Sequence, residues 1–191
     1  MNVSSRMLRA LAFAAEKHRN HRRKDANASP YINHLISAAR ILVEEGQVTD
    51  EELIVAAILH DTIEDTETSG AELESCFGRE VADIVREVTD DTSLRKAERK
   101  QVQEQRAPAV SAQAKQLLIA DKISNILDIM HHPPSGWSLE RRREYVAWSG
   151  RVVAGCRDVN RRLDRAYDQT VDHALLHLET LPGPGPGGGE P

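Results

Sequence analysis

Aromatic residues are few, 4% of the 191-residue chain against 40% for all hydrophobic residues, so a core must be assembled mainly from Leu, Ile, Val and Ala. A core of that kind suits helices packed on helices. Only two cysteines are present, Cys76 and Cys156, and neither has a CxxC or Cys-His spacing around it. That argues against a thiolate metal centre and a disulfide framework, and both are expected as reduced, buried thiols. No apolar run approaches the length of a bilayer span, and the amphipathic start MNVSSRMLRALAFAAEKH lacks the apolar segment of a signal peptide. A cytoplasmic protein without a membrane partner is expected. Positive charge is not in excess either: the formal net charge is −5, which speaks against a general nucleic-acid binder. Any anionic ligand must then be met by a local cluster of cations. Alternating strand patterns and internal repeats are also missing.

What is present is helical rhythm. Leu163, Ala166, Tyr167, Thr170, Val171, Ala174, Leu175 and Leu178 recur at three-four spacing, as do Val81, Ile84, Val85 and Val88. Thr49 with Glu52 and Ser69 with Glu72 read as capping boxes, Gly78 as a stop, and Ser111 as the cap of a long helix that ends at His131, His132 and the Pro133-Pro134 pair. The charged stretch TDDTSLRKAERKQVQEQRAP reads as a solvated, mobile face. Residues 1–181 are expected to form one domain. The Pro/Gly-rich remainder, 182–191, has almost nothing to bury and is expected to be disordered.

One stretch resists this plain reading. LHDTIED, Leu59 to Asp65, sets a histidine and three carboxylates at the end of the apolar run Leu53 to Leu59. A helix apolar all round belongs in the middle of a bundle, so His60 and Asp61 begin in the interior. A buried carboxylate without a partner neutralises itself, and a divalent cation offsets its desolvation better than a lone lysine. Asp61, Glu64 and Asp65 stand at i, i+3 and i+4, about one turn apart. Glu64 and Asp65 could still be ordinary surface acids, although carboxylates near a helix C-terminus oppose its dipole. His34, after PYIN, and Asp121, inside LLIADKISN, are further candidates; Asp121 could equally pair with Lys122. Two imidazoles with two carboxylates suit manganese, iron or zinc better than calcium.

These residues carry a resemblance. His34, His60-Asp61 and Asp121 look like the H…HD…D signature of HD-domain phosphohydrolases. The blocks RRKD, YINH, LHDTIEDT, VTDD, ERK and ADKISN stand in the order of the RelA/SpoT alarmone hydrolase domain, and most resemble its stand-alone small hydrolases, the metazoan SpoT homologues among them. The likeness runs from the first helix to about Tyr167. It implies an all-α HD-domain bundle around a single metal site, with one manganese ion per chain held by His34, His60, Asp61 and Asp121. It implies removal of pyrophosphate from the 3′ position of guanosine tetra- or pentaphosphate, a small-molecule nucleotide. Glu64 and Asp65 would orient or deprotonate the attacking water. Arg23, Lys24, Asn125 and Tyr145 would bind substrate. Leu35 departs from the family, which usually has Pro after the first histidine. The family's synthetase domain has no counterpart here, so synthesis on the same chain is not expected. A phosphatase of a related nucleotide such as NADPH, or an alarmone-binding module without turnover, remain open alternatives, as does a homo-oligomer.

Overall fold

The computed structural model describes residues 4–181. The tail expected to be disordered lies outside that range. Ten helices follow in chain order: α1 (Ser5–Lys17), α2 (Ile32–Glu44), α3 (Glu51–Leu59), α4 (Thr62–Asp65), α5 (Gly70–Phe77), α6 (Arg79–Val88), α7 (Lys96–Arg106), α8 (Ala112–His131), α9 (Leu139–Ala154) and α10 (Arg161–Thr180). Among the described residues the only β pairing is an isolated bridge between Arg22 and Pro30. The all-α expectation stands.

Helix α3 is the axis of one half of the bundle. All seven residues from Leu53 to Leu59 are buried, and α3 is covered by α1, α2, α6 and α8. Its N-terminus is capped by Asp50, whose carboxylate accepts from the backbone amides of Glu52 and Leu53. Asp50 therefore takes the place expected of Thr49: an ionised cap also complements the positive end of the helix. Helix α8 is the second axis, packed against α2, α6, α9 and α10. Ser111 caps it through the amide of Ala114, and the helix ends at His131 as the sequence predicts. Ser69 caps α5 in the same way, and Gly78, at φ +91°, turns the chain between α5 and α6 in a conformation that favours glycine.

Two expectations are corrected. The charged stretch after Thr89 is not a mobile face, because much of it forms α7 and its cations reach inward. Arg106 donates to the carbonyls of Val88 and Thr89 and pairs with Asp90, while Gln103, buried, donates to the same carboxylate. Polarity on α7 thus satisfies the end of α6, where helix carbonyls lack partners. Cys156 is buried as expected, but Cys76 is exposed. On α5 it stands at the border of the stripe that Leu73 and Phe77 turn to the core, not within it.

Candidate active site

The axial helix α3 stops at Leu59, one residue before the motif its burial carries into the interior. His60 and Asp61 form the joint between α3 and the single turn of α4; Asp61 has φ −95° and ψ 0°, and its carbonyl accepts from the amide of Asp65 at 2.9 Å. The break matters because Glu64 and Asp65 no longer hang from the C-terminal end of a long helix dipole. They lie on a separate turn beside the cluster.

Four of the side chains singled out in the sequence meet here. Ligating atoms of His34, His60 and Asp121 lie within 4.8 Å of one another. Asp61 joins them, one oxygen 3.3 Å from His60 Nε2 and the other 3.6 Å from His34 Nε2, while Asp121 Oδ1 lies 3.2 Å from His34 Nε2. His34 comes from α2, the His60-Asp61 pair from the end of α3, and Asp121 from α8. Each donor is held from behind. His34 Nδ1 bonds the Ser124 hydroxyl at 3.0 Å, and His60 Nδ1 donates to the Ala57 carbonyl at 2.8 Å. Both rings therefore turn Nε2 toward the two carboxylates, as a metal-binding imidazole requires. His60 Nε2 is buried and makes no hydrogen bond. An orphaned buried nitrogen facing two carboxylates fits a divalent cation, so the donor set present matches the group that the motif implies.

The electrostatics agree. Burial alone would push His60 down, but the Asp61 and Asp121 carboxylates reverse that and hold it up to about 9. Burial opposes the charge of Asp121 too, yet the Lys122 ammonium and the two histidines keep it well below the usual carboxylate range. The pairing of Asp121 with Lys122, at 2.8 Å, is real and occupies Oδ2. It leaves Oδ1 facing the Nε2 atoms of His34 and His60.

Glu64 and Asp65 flank the cluster on different sides. Glu64 accepts from the amide of Asp90 at 3.0 Å and lies 3.3 Å from Arg99 of α7. Burial, with Asp61 and Asp90 nearby, pushes its carboxyl up to about 7. Asp65 is also raised, chiefly by burial and then by Asp61. Asp65 lines a cavity of about 770 Å³ with Arg22, Arg23, Lys24 and His21. Glu64 lines one of about 630 Å³ with Lys96, Lys100, Arg141 and Tyr145. A smaller space of about 140 Å³ between them is lined by His34, His60, Asp61, Glu64 and Asp121.

The expected substrate residues are distributed over these cavities. Lys24 is exposed and lines both large ones. Arg23 turns inward, pairing with Asp128 and donating to Asn125 Oδ1 at 2.9 Å over the face of Tyr31. Asn125 donates in turn to Asp121 at 2.7 Å, so both ends of its amide are engaged. Tyr145 lines only the cavity on the Glu64 side. The six other histidines, His18, His21, His131, His132, His173 and His177, do not join the cluster.

Tyr31 and Arg99, in the motif blocks YINH and ERK, are not among the expected site residues. Tyr31 donates its hydroxyl to Asp61 Oδ2 at 2.8 Å and is stacked at 4.9 Å on His18, whose own pKa burial lowers to about 4. Their only sequence signal was proximity to a motif residue. Tyr31→Phe is expected to weaken divalent-metal affinity ~10–100-fold, as outer partners of ligands usually do, without loss of fold. Calorimetric metal titration checks it; unchanged affinity would mean the hydroxyl does not position Asp61.

Helices that gather His, His-Asp and Asp into one cluster with a candidate metal site define a helical hydrolase of the HD type. The chain belongs to the HD domain family, whose model matches residues 10–127. Among similar curated proteins is a zebrafish (Danio rerio) protein named guanosine-3′,5′-bis(diphosphate) 3′-pyrophosphohydrolase MESH1, 52% identical over 88% of this chain and 95% of the relative. The human protein of the same name is 47% identical over 85% of this chain and 91% of its own. A solved structure of a metazoan orthologue of SpoT, described as hydrolysing ppGpp, superposes with a TM-score of 0.87 at 42% identity, covering 91% of this chain and 97% of that one. The structure of lmo0812 from Listeria monocytogenes EGD-e gives 0.62 at 28% identity, over 76% and 98%.

Proposed function

We propose that this enzyme is a guanosine-3′,5′-bis(diphosphate) 3′-pyrophosphohydrolase, converting ppGpp or pppGpp and water to GDP or GTP and pyrophosphate. The observation that carries the reading is the convergence of four ligand side chains from three helices, with Glu64 on one side and Asp65 on the other. The names of its relatives support it. His34, His60, Asp61 and Asp121 would hold one divalent cation per chain; their mixed nitrogen and oxygen donors suit manganese, iron or zinc, and the family resemblance selects manganese. When bound, that cation polarises a phosphoryl oxygen and brings the pKa of water toward neutrality.

The protein's own groups do the rest. Glu64, with a pKa near neutrality and lining the same small cavity as the cluster, accepts the proton of the attacking water. Water adds to the phosphorus bonded to the ribose 3′ oxygen, that P–O bond breaks, and the 3′ oxygen leaves with a proton. Asp65, across the cluster, orients the water from the opposite side. Lys24 and the loop of Arg22 and Arg23 provide the positive field that the net negative chain otherwise lacks, and Asn125 and Tyr145 line the path of the nucleotide.

Manganese-loaded protein is expected to release GDP and pyrophosphate from ppGpp, separated by ion exchange, and to lose that activity when chelator removes the metal. Release of inorganic phosphate from NADPH with ppGpp left intact would favour the related-nucleotide phosphatase instead. Binding of ppGpp without products would make the chain a sensor.

A further inference from the structure

Helix α7 has a feature that core packing does not explain. Within Lys96–Arg106 the one buried side chain is Gln103, so this helix turns a polar and not an apolar stripe inward. Arg99, Gln103 and Arg106 stand at i, i+4 and i+7, on one face. All three lead to Glu64. Arg99 Nη1 lies 3.3 Å from one oxygen of that carboxylate. The other oxygen accepts from the Asp90 amide at 3.0 Å, and the remaining two side chains hold Asp90. Gln103 Nε2 donates to Asp90 Oδ1 at 3.1 Å, and Arg106 pairs with the same oxygen. The Arg106 guanidinium also donates to the carbonyls of Thr89 and Val88, at 2.6 and 2.8 Å, so one side chain fixes three consecutive residues of the chain leaving α6.

Glu64 needs such support. It stands on α4, a turn of four residues that is too short to stabilise itself, and its long side chain must give up rotamer freedom to meet one water. A reacting group misplaced by about 1 Å loses much of its effect. The Asp90 carboxylate repels that of Glu64, and its pairing with Arg106 offsets the repulsion while keeping the Asp90 amide in place. Helix α7 is docked in turn on α9, where the Trp148 indole donates to the Lys100 carbonyl at 3.3 Å and Arg151 pairs with Glu104 at 3.0 Å. Arg99 faces the large cavity beside Glu64, whereas Arg106 lines none of the three cavities around the cluster. Whatever Arg106 contributes to the chemistry must therefore pass through Asp90.

We propose that Arg106 and Gln103 are positioning residues for Glu64: by clamping Asp90 they aim its backbone amide at the Glu64 carboxylate and hold that carboxylate beside the ligand cluster. This rests on the hydrolase reading above, in which Glu64 is the base.

The test is a double-mutant cycle of Arg106→Gln with Glu64→Gln, followed as pyrophosphate release from ppGpp by manganese-loaded protein. Arg106→Gln alone is expected to lower kcat about tenfold or more, with KM and manganese content within about twofold of wild type, since a misplaced base costs chemistry and not binding. In the Glu64→Gln background the same change is expected to cost nothing further, because the group it positions is already gone. An Arg106 that merely caps α6 would lower the melting temperature and leave kcat as it was. Wild-type kcat in a folded Arg106→Gln protein, a loss confined to KM, or an equal loss in both backgrounds overturns the proposal. Should Arg106→Gln not fold, Gln103→Leu takes its place in the cycle. That change removes one donor from Asp90, leaves the α6 carbonyls to Arg106, and is expected to lower kcat about threefold, in the presence of Glu64 only. No loss, or an equal loss without Glu64, refutes the proposal there too. If wild type releases no pyrophosphate from ppGpp, the hydrolase reading fails. The positioning is then decided by crystal structures of the metal-free wild type and variant: a Glu64 carboxylate that leaves the Asp90 amide in the variant supports it, and one that keeps the 3.0 Å contact refutes it.

Discussion

Asp61→Ala is expected to abolish both bound metal and hydrolysis, with kcat/KM falling ~10³-fold or more, since the cation supplies several kcal/mol of charge stabilisation at the reacting phosphoryl group. The carboxylate lies 3.3 Å from one histidine and 3.6 Å from the other, and Asp121 is the second acid that reaches both. Its loss removes a ligand and leaves His60 with Asp121 alone. Elemental analysis of the purified variant, before and after manganese loading, measures the first effect, and pyrophosphate release measures the second. A variant that held manganese and turned over at the wild-type rate would remove Asp61 from the centre. Cation capture should also release a proton. His60 titrates near 9, above the ordinary histidine value, while a ligating imidazole must be neutral. Metal affinity is therefore expected to climb as pH rises toward about 9.

Glu64→Gln is expected to behave differently, keeping the metal while losing turnover ~10²–10⁴-fold, the range for removal of a general base. Glutamine preserves the shape and can still meet the Asp90 amide, so the fold is not at stake. The sign of the pH dependence follows from the raised carboxyl. A base must be deprotonated, so the wild-type rate should fall as pH drops through the pKa of Glu64, about 7 for the protein alone and lower with a cation beside it. That acidic limb should vanish in the residual activity of the variant. Stability moves the other way: a carboxyl raised on folding holds its proton more tightly in the native state, so its contribution declines as pH rises from the ordinary glutamate value to about 7. Equal loss of metal and turnover would place Glu64 among the ligands, and an unchanged acidic limb would assign the base to another group.

Much of the fold could be read from periodicity and caps, because both are local. The seven apolar residues before His60 announced a central helix, and Ser69, Gly78 and Ser111 announced helix ends that stand where expected. Local reading failed where a polar residue had a distant partner. The charges of α7 looked solvated because their counterparts, Glu64, Asp90 and the carbonyls ending α6, lie 13 to 35 residues away. Asp50 and not Thr49 caps α3, because both residue types can cap a helix and only backbone geometry chooses between them.

The site divides along the same line. By itself the sequence pointed to side chains that could meet a cation, since the buried run Leu53 to Leu59 leaves His60 and Asp61 in an interior where their charge demands a partner. It could not say that Glu64 and Asp65, adjacent in the chain, open into two separate cavities, or that Tyr31 holds Asp61 while Lys122 takes one oxygen of Asp121. Nor could it show that Lys96, Lys100 and Arg141 line one cavity with Glu64, Asp90 and Glu144. Those facts depend on how α2, α3, α7, α8 and α9 pack, and the energy of a charge depends on its distance from others and on the water excluded between them, neither of which is a property of sequence spacing.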